Sequence, residues 1–259
     1  MKNFLRTLII IALLIGSQFN SIAAEKVEYL KTDWSFKGLF GKFDRGALQR
    51  GYQVYTEVCS SCHSMKYLSY RNLAEKGGPE FTEVQTKAIA ASFEVKDGPN
   101  ADGEMFMRPG KLSDKFVMPY ENIKAAQAAN GGAYPPDMSV LVKARGGGVD
   151  YIYSLLQGYE EPPAGITLDD GVYYNKYMCG NKIKMANQLS DGLVDYADGT
   201  NATVEQMSKD VTTFLMWAAE PHLESRHQMG FKAIVYLIIL TILVYFSMKR
   251  IWSRIETKV

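Results

Sequence analysis

Two stretches of this chain are apolar almost without interruption, and they lie near its two ends. The first runs from Leu8 to Gly16, behind Lys2 and Arg6, and gives way to small residues at Ser21, Ala23 and Ala24 before Glu25. It is well short of the roughly 20 residues that cross a bilayer. A positive start, a short apolar core and a small-residue exit are the pattern of a secretory signal, so residues 1–24 are expected to be cleaved and the rest exported. The second, Phe231 to Met248, is broken only by Lys232 at its edge and is about long enough to span a membrane as a helix. Lys249, Arg250, Arg254 and Lys258 follow it against a single Glu256, which puts the tail 249–259 on the cytoplasmic side. Residues 25–230 are then an exported domain, a periplasmic one in a bacterium, on a single transmembrane anchor at 231–248.

Within that domain the periodic segments are helical. Asp44 can cap a helix in which Leu48, Gly51, Tyr55, Val58 and Cys62 recur every three or four residues. Thr203 and Gln206 suggest a capping box, and Val204, Met207, Val211, Phe214, Leu215 and Ala218 make an apolar stripe that ends at Pro221. Ala144 to Gly165 reads as a Gly-rich turn, a short helix and a break. Asp97 to Tyr120, and NGGAYPPDM from Asn130 to Met138, are rich in Gly and Pro and are expected to be irregular.

The formal net charge of the 259 residues is +1, which conceals an asymmetry. Eight of the 29 basic residues (Lys2, Arg6, Arg226, Lys232, Lys249, Arg250, Arg254, Lys258) and one of the 28 acidic ones (Glu256) lie at the ends, leaving 21 basic and 27 acidic, a net of −6. An acidic exported domain argues against a nucleic-acid partner and favours a basic protein partner.

The chemistry concentrates in VCSSCHSMKY, residues 58–67, which hold two of the three cysteines and one of the three histidines. A structural zinc would need four ligands, and Cys179, His222 and His227 supply no second paired motif. A thioredoxin-like thiol pair would need a βαβ setting. Cys59-x-x-Cys62-His63 in an exported chain instead matches the c-type haem attachment signature, in which both thiols add to the haem vinyl groups and the histidine binds iron. On a helix the two thiols lie three residues apart and face one object. An open second axial position would suit peroxide or gas chemistry, and a filled one electron transfer. His222 and His227 lie just before the anchor, away from a haem core. Of the methionines, Met65 is too close to His63, while Met105, Met107, Met118, Met138, Met178 and Met185 all lie in loops that spacing alone leaves open.

Three long stretches carry a resemblance. The segments beginning DWSFKGLFGKFDRGALQRGYQVYTEVCSSCHSM, NGGAYPPDMSVLVKARGGGVDYIYSLLQGYEEPPAG and DVTTFLMWAAEPHLESRHQMGFKAIVYL are similar, in order, to signature stretches of the cytochrome c1 family, from about Trp34 to Arg250. The resemblance implies a mostly α-helical, cytochrome c-like haem domain with long loop insertions and one C-terminal transmembrane helix. It implies one covalent haem c on Cys59 and Cys62, with His63 and Met185 as axial ligands, and Arg145 and Tyr151 near the propionates. It also implies a place in the cytochrome bc1 complex, itself dimeric, beside cytochrome b. Electrons would arrive from the Rieske iron-sulfur protein and leave to cytochrome c, the chain being a carrier subunit and not an enzyme by itself. An alternative is a membrane-anchored monohaem redox enzyme with an open iron site; another is a zinc-stabilised exported module. Family members often carry prolines just after the axial methionine, where this chain reads Met185-Ala186-Asn187. Cys179 is left either as a free thiol or as half of a bridge between chains.

Overall fold

The computed structural model describes residues 27–256, so the expected signal at 1–24 lies outside the described residues. Among the described residues it is mostly helical, with six α-helices and two short antiparallel hairpins. Helix α1 (Arg45–Val54) starts at Asp44, whose carboxylate accepts from the Ala47 N–H at 3.2 Å, as the sequence suggests. It buries Leu48, Gly51, Tyr52 and Val54.

The regular helix ends one turn short of the cysteines. Tyr55–Cys59 form a π-turn, with the Ser60 N–H reaching back five residues to the Tyr55 carbonyl at 2.8 Å. The expectation of one uninterrupted helix through Cys62 is therefore corrected: the wider turn inserts an extra residue between the face of α1 and the Cys-His segment.

Helix α2 (Glu83–Ala91) follows, and then strands β1 (Glu94–Asp97) and β2 (Phe106–Pro109) pair antiparallel with Glu94 opposite Pro109. This hairpin lies partly inside the stretch expected to be irregular. Its Gly- and Pro-rich residues make the turn between the strands, with Asn100 gathering the Asp102 and Glu104 N–H groups. Helices α3 (Ile123–Ala129) and α4 (Gly148–Gln157) come next. Strands β3 (Tyr173–Tyr174) and β4 (Lys182–Ile183) form a two-residue ladder.

Helix α5 (Val204–Ala219) is the core of the domain. Thr203 caps it by accepting from the Gln206 N–H at 3.1 Å, and Met207, Val211, Phe214 and Leu215 of the expected stripe are all but inaccessible to solvent. It crosses α1 at very close range, because a Cβ placed on Gly51 would stand only 2.1 Å from the Asp210 carbonyl oxygen. At the same crossing the fully buried Asp210 carboxylate accepts from Arg50 through Nε at 2.8 Å and Nη2 at 3.1 Å. Tyr52 and Tyr55 of the first helical segment both pack their rings on Phe214.

Helix α6 runs from Leu223 to Glu256, so it begins eight residues before the apolar stretch and continues beyond it. Its most apolar 18-residue stretch has a mean hydropathy of 2.2 and none of it is buried against the domain, which suits a membrane span.

Candidate haem-binding site

Cys59, Cys62 and His63 occupy a single helical turn, closed by the His63 and Cys62 N–H groups donating to the Cys59 carbonyl at 2.9 and 3.2 Å. Both cysteines are free thiols and partly buried. Burial, with a smaller push from Cys62, raises the Cys59 thiol to about 12. The two thiols are unbridged, a donor set that fits two thioether bonds.

His63 is buried, and burial lowers its imidazole below the ordinary value, against the opposing effects of Pro136 and Asp137. Its Nδ1 lies 2.8 Å from the Pro136 carbonyl oxygen. A carbonyl only accepts, so Nδ1 carries the proton and Nε2 keeps its lone pair for a metal. This fixes both the tautomer and the ring orientation, the usual service of a hydrogen-bond partner behind a ligating histidine.

The Pro136 carbonyl is itself held. Asp137 accepts from Ser64 Oγ at 2.7 Å, the Lys66 N–H at 3.1 Å and the Ser139 N–H at 3.0 Å, while the Met138 N–H donates to the Ser64 carbonyl at 2.8 Å. Burial alone would raise the Asp137 carboxyl, but these hydrogen bonds outweigh it and hold it below the usual carboxylate range. Residues 63–67 and 136–139 are in effect zipped together. A cavity of about 200 Å³ opens beside Cys62, walled by Tyr120, Ala126, Tyr134 and Pro135.

Met185 is partly buried at the far end of β4. Its carbonyl accepts from the Tyr159 hydroxyl at 3.0 Å, and the adjacent Lys184 donates to the Gly131 carbonyl at 3.3 Å. The segment bearing Met185, two residues past β4, is therefore tied to the loop that supplies Pro136 to His63. Local bonds brace this loop: the Leu189 N–H donates to Asn187 Oδ1 and Gln188 Nε2 to the Ala186 carbonyl.

Tyr151 is buried and donates to Met178 Sδ at 3.3 Å; burial raises its hydroxyl, and the nearby Arg145 opposes that shift. Arg145 is exposed and donates to the carbonyl of its neighbour Ala144. Cys179 is an exposed free thiol. Among the described residues no group of three His, Cys, Asp or Glu side chains gathers as a metal site.

Pro136, Asp137 and Tyr159 are participants that the sequence did not single out. The first acts through a backbone atom, which leaves no trace in residue type.

A helical domain with a thiol pair and an oriented imidazole on one turn, borne on an apolar C-terminal helix, is that of a membrane-anchored c-type cytochrome. The family model described as the Cytochrome C1 family matches residues 34–255. A protein named cytochrome b/c1 from Bradyrhizobium diazoefficiens is 53% identical over 239 residues, covering 85% of this chain and 35% of that protein. Cytochrome c1-2, heme protein, mitochondrial, from Solanum tuberosum is 48% identical over 87% of this chain and 85% of its own length. The cytochrome c1 heme protein of Saccharomyces cerevisiae is 48% identical over 87% of this chain and 72% of its own. The chain spans about a third of the bacterial relative and most of the other two. It belongs to the cytochrome c1 family, and with that family it is an electron-transfer protein carrying haem c.

Proposed function

We propose that this chain is the haem subunit of a quinol–cytochrome c oxidoreductase, receiving single electrons from a Rieske iron-sulfur protein and passing them to a cytochrome c. When bound, the haem supplies the one-electron Fe(III)/Fe(II) couple. The chain's own residues do the rest. Cys59 and Cys62 would hold the haem through two thioethers. His63 would bind iron through Nε2 while Pro136 holds the Nδ1 proton. Met185 would supply a second iron ligand, whose thioether sulfur favours the ferrous state over what a nitrogen donor would give. Tyr151 and Arg145 would serve the propionates. The observation that carries this reading is the His63–Pro136 hydrogen bond, which presents Nε2 as a lone-pair donor on the same turn as the thiols.

In a bacterium the domain 25–230 sits in the periplasm, held to the inner membrane by the single span at 231–248, with cytochrome b as its neighbour in a dimeric complex. The acidic surface suits a basic cytochrome c.

The test is a pair of variants. Cys59→Ala with Cys62→Ala should release haem to acid extraction. Met185→Leu should retain covalent haem, lose the long-wavelength sulfur-to-iron band of the oxidised protein, lower its potential and admit carbon monoxide. A Met185→Leu protein that keeps the band identifies another methionine as the ligand, and a wild-type protein that binds carbon monoxide freely favours the open-site enzyme.

A further inference from the structure

Just before α1 the chain makes a tight turn of unusual composition. The Gly41 N–H donates to the Gly38 carbonyl at 3.3 Å, and the Lys42 N–H closes the base on the Ser35 carbonyl at 3.0 Å. The two tip positions are Leu39 and Phe40, which are 60% and 69% exposed. Turn tips are ordinarily Gly, Asn, Asp or Ser, so two large apolar side chains there expose area that water penalises.

The turn is rigidly mounted. Trp34, Phe36 and Phe43 pack ring on ring beneath it and are buried. Gly41 has no room for a side chain, since a Cβ there would lie 2.3 Å from the Phe36 carbonyl oxygen, and Gly38 adopts φ +88°. The Phe43 N–H donates to Glu224 Oε1 at 2.9 Å, and Arg45 grips the same carboxylate, so the base of the turn is fixed to the first turn of α6.

From Glu224 the anchor climbs seven residues, about 10 Å at 1.5 Å per residue, to Phe231, where its apolar stretch begins. The Phe40 ring meets the Phe231 ring there, edge to face, with centroids 5.7 Å apart. The exposed tip is therefore level with the start of the span and continuous with its surface. Lys42 follows the tip and Lys232 lies one residue beyond Phe231, while Lys37 on the other side is held by the Asp150 carboxylate at 3.2 Å. Apolar side chains at the tip, with two lysines beside them, match the boundary between acyl chains and phosphate headgroups.

We propose that the turn Gly38–Gly41 is a second membrane contact, with Leu39 and Phe40 set into the lipid interface beside α6 and Lys42 and Lys232 among the headgroup phosphates. This rests on α6 being a membrane span. It makes the haem domain a two-point attachment: one point is the helix, and the other resists rotation of the domain about the helix axis.

The test places a nitroxide at position 40 (Phe40→Cys in a Cys179→Ser background) in the haem-loaded full chain within its membrane assembly. The assembly is reconstituted into vesicles of phosphatidylcholine and phosphatidylglycerol. Separate labels at Leu240→Cys in the span and Val84→Cys on exposed α2 serve as references. Collision with oxygen relative to a water-soluble nickel chelate should be several-fold higher at position 40 than at position 84, approaching the value at 240. A label at 40 that matches position 84 while 240 is lipid-like overturns the proposal and leaves the span intact. A label at 40 shielded from both quenchers assigns the turn to a protein neighbour and overturns it too. If 240 itself meets the nickel chelate, the span and the proposal fall together.

Discussion

Arg45, the first residue of α1, holds Glu224 in the first turn of α6 through two parallel hydrogen bonds, Nη1 to Oε1 at 2.7 Å and Nη2 to Oε2 at 2.8 Å. One end of α1 thus grips the anchor while the other runs into the Cys-His turn. A second carboxylate, Glu220, joins Lys143 and Arg226 across the same junction. Glu224→Gln keeps the shape and removes the charge. It should lower the unfolding free energy by about 1–3 kcal/mol, the usual effect of breaking a charge-assisted pair that is largely out of water.

The same junction sets an acid limit. For both Glu224 and Glu220 burial raises the carboxyl, but the hydrogen bonds from Arg45, and from Lys143 and Arg226, prevail and hold each below its ordinary 4.5. A folded value below the unfolded one contributes stability above pH 4.5 that is lost as the pH falls through the folded value. Thermal unfolding of the haem-loaded protein should therefore be level from neutrality to about pH 5 and fall below 4.5. The Glu224→Gln variant should show a shallower fall, and an identical acid profile in the two proteins would remove Glu224 from the account.

Tyr159→Phe should separate the brace of Met185 from the ligand itself. It deletes the hydroxyl that donates to the Met185 carbonyl and leaves the thioether in place. Covalent haem and the sulfur-to-iron band should both survive at room temperature, but the band should disappear on heating at a lower temperature than in the parent protein. Loss of one such hydrogen bond is worth about 1 kcal/mol.

Gly51→Ala tests the crossing of α1 and α5. The new methyl would stand 2.1 Å from the Asp210 carbonyl oxygen, which is backbone and cannot swing aside. Ala is the better helix former, so propensity alone predicts stabilisation by roughly 1 kcal/mol. The clash should reverse that sign and destabilise by at least about 1–3 kcal/mol, as overpacking does, in a chemical denaturation series.

Oxidation of the reduced protein by a basic cytochrome c should slow as salt rises, since residues 25–225 carry a net −6. A rate indifferent to ionic strength would remove electrostatic steering while leaving electron transfer untouched.

Residue type and spacing made some of this legible and left other parts hidden. Asp44 and Thr203 announced their helices because a capping side chain is a local signal, and the α5 stripe from Met207 to Leu215 is buried as its period requires. Cys59, Cys62 and His63 stood out because the chemistry demands those side chains at that spacing. The π-turn did not, since one extra residue per turn leaves the local composition unchanged. Nor did the start of α6: the apolar pattern begins only at Phe231, but the helix begins at Leu223, where Glu224 meets Arg45 across 179 residues of sequence. Pro136 lies 73 residues from His63 and acts through a carbonyl that every residue possesses.

The widened turn at Tyr55–Cys59 is a phase shifter. An added residue in a helix rotates everything beyond it by roughly 100° relative to an unbroken α-helix. Upstream of it, Leu48, Gly51 and Tyr52 are pinned against α5 with no slack, because Gly51 already touches the Asp210 backbone. Downstream, the aim of the thiols and imidazole is set separately. A single-residue deletion within 55–59 would leave the packing of α1 intact and turn the Cys-His segment away from Pro136, so a properly folded domain could still fail to mature.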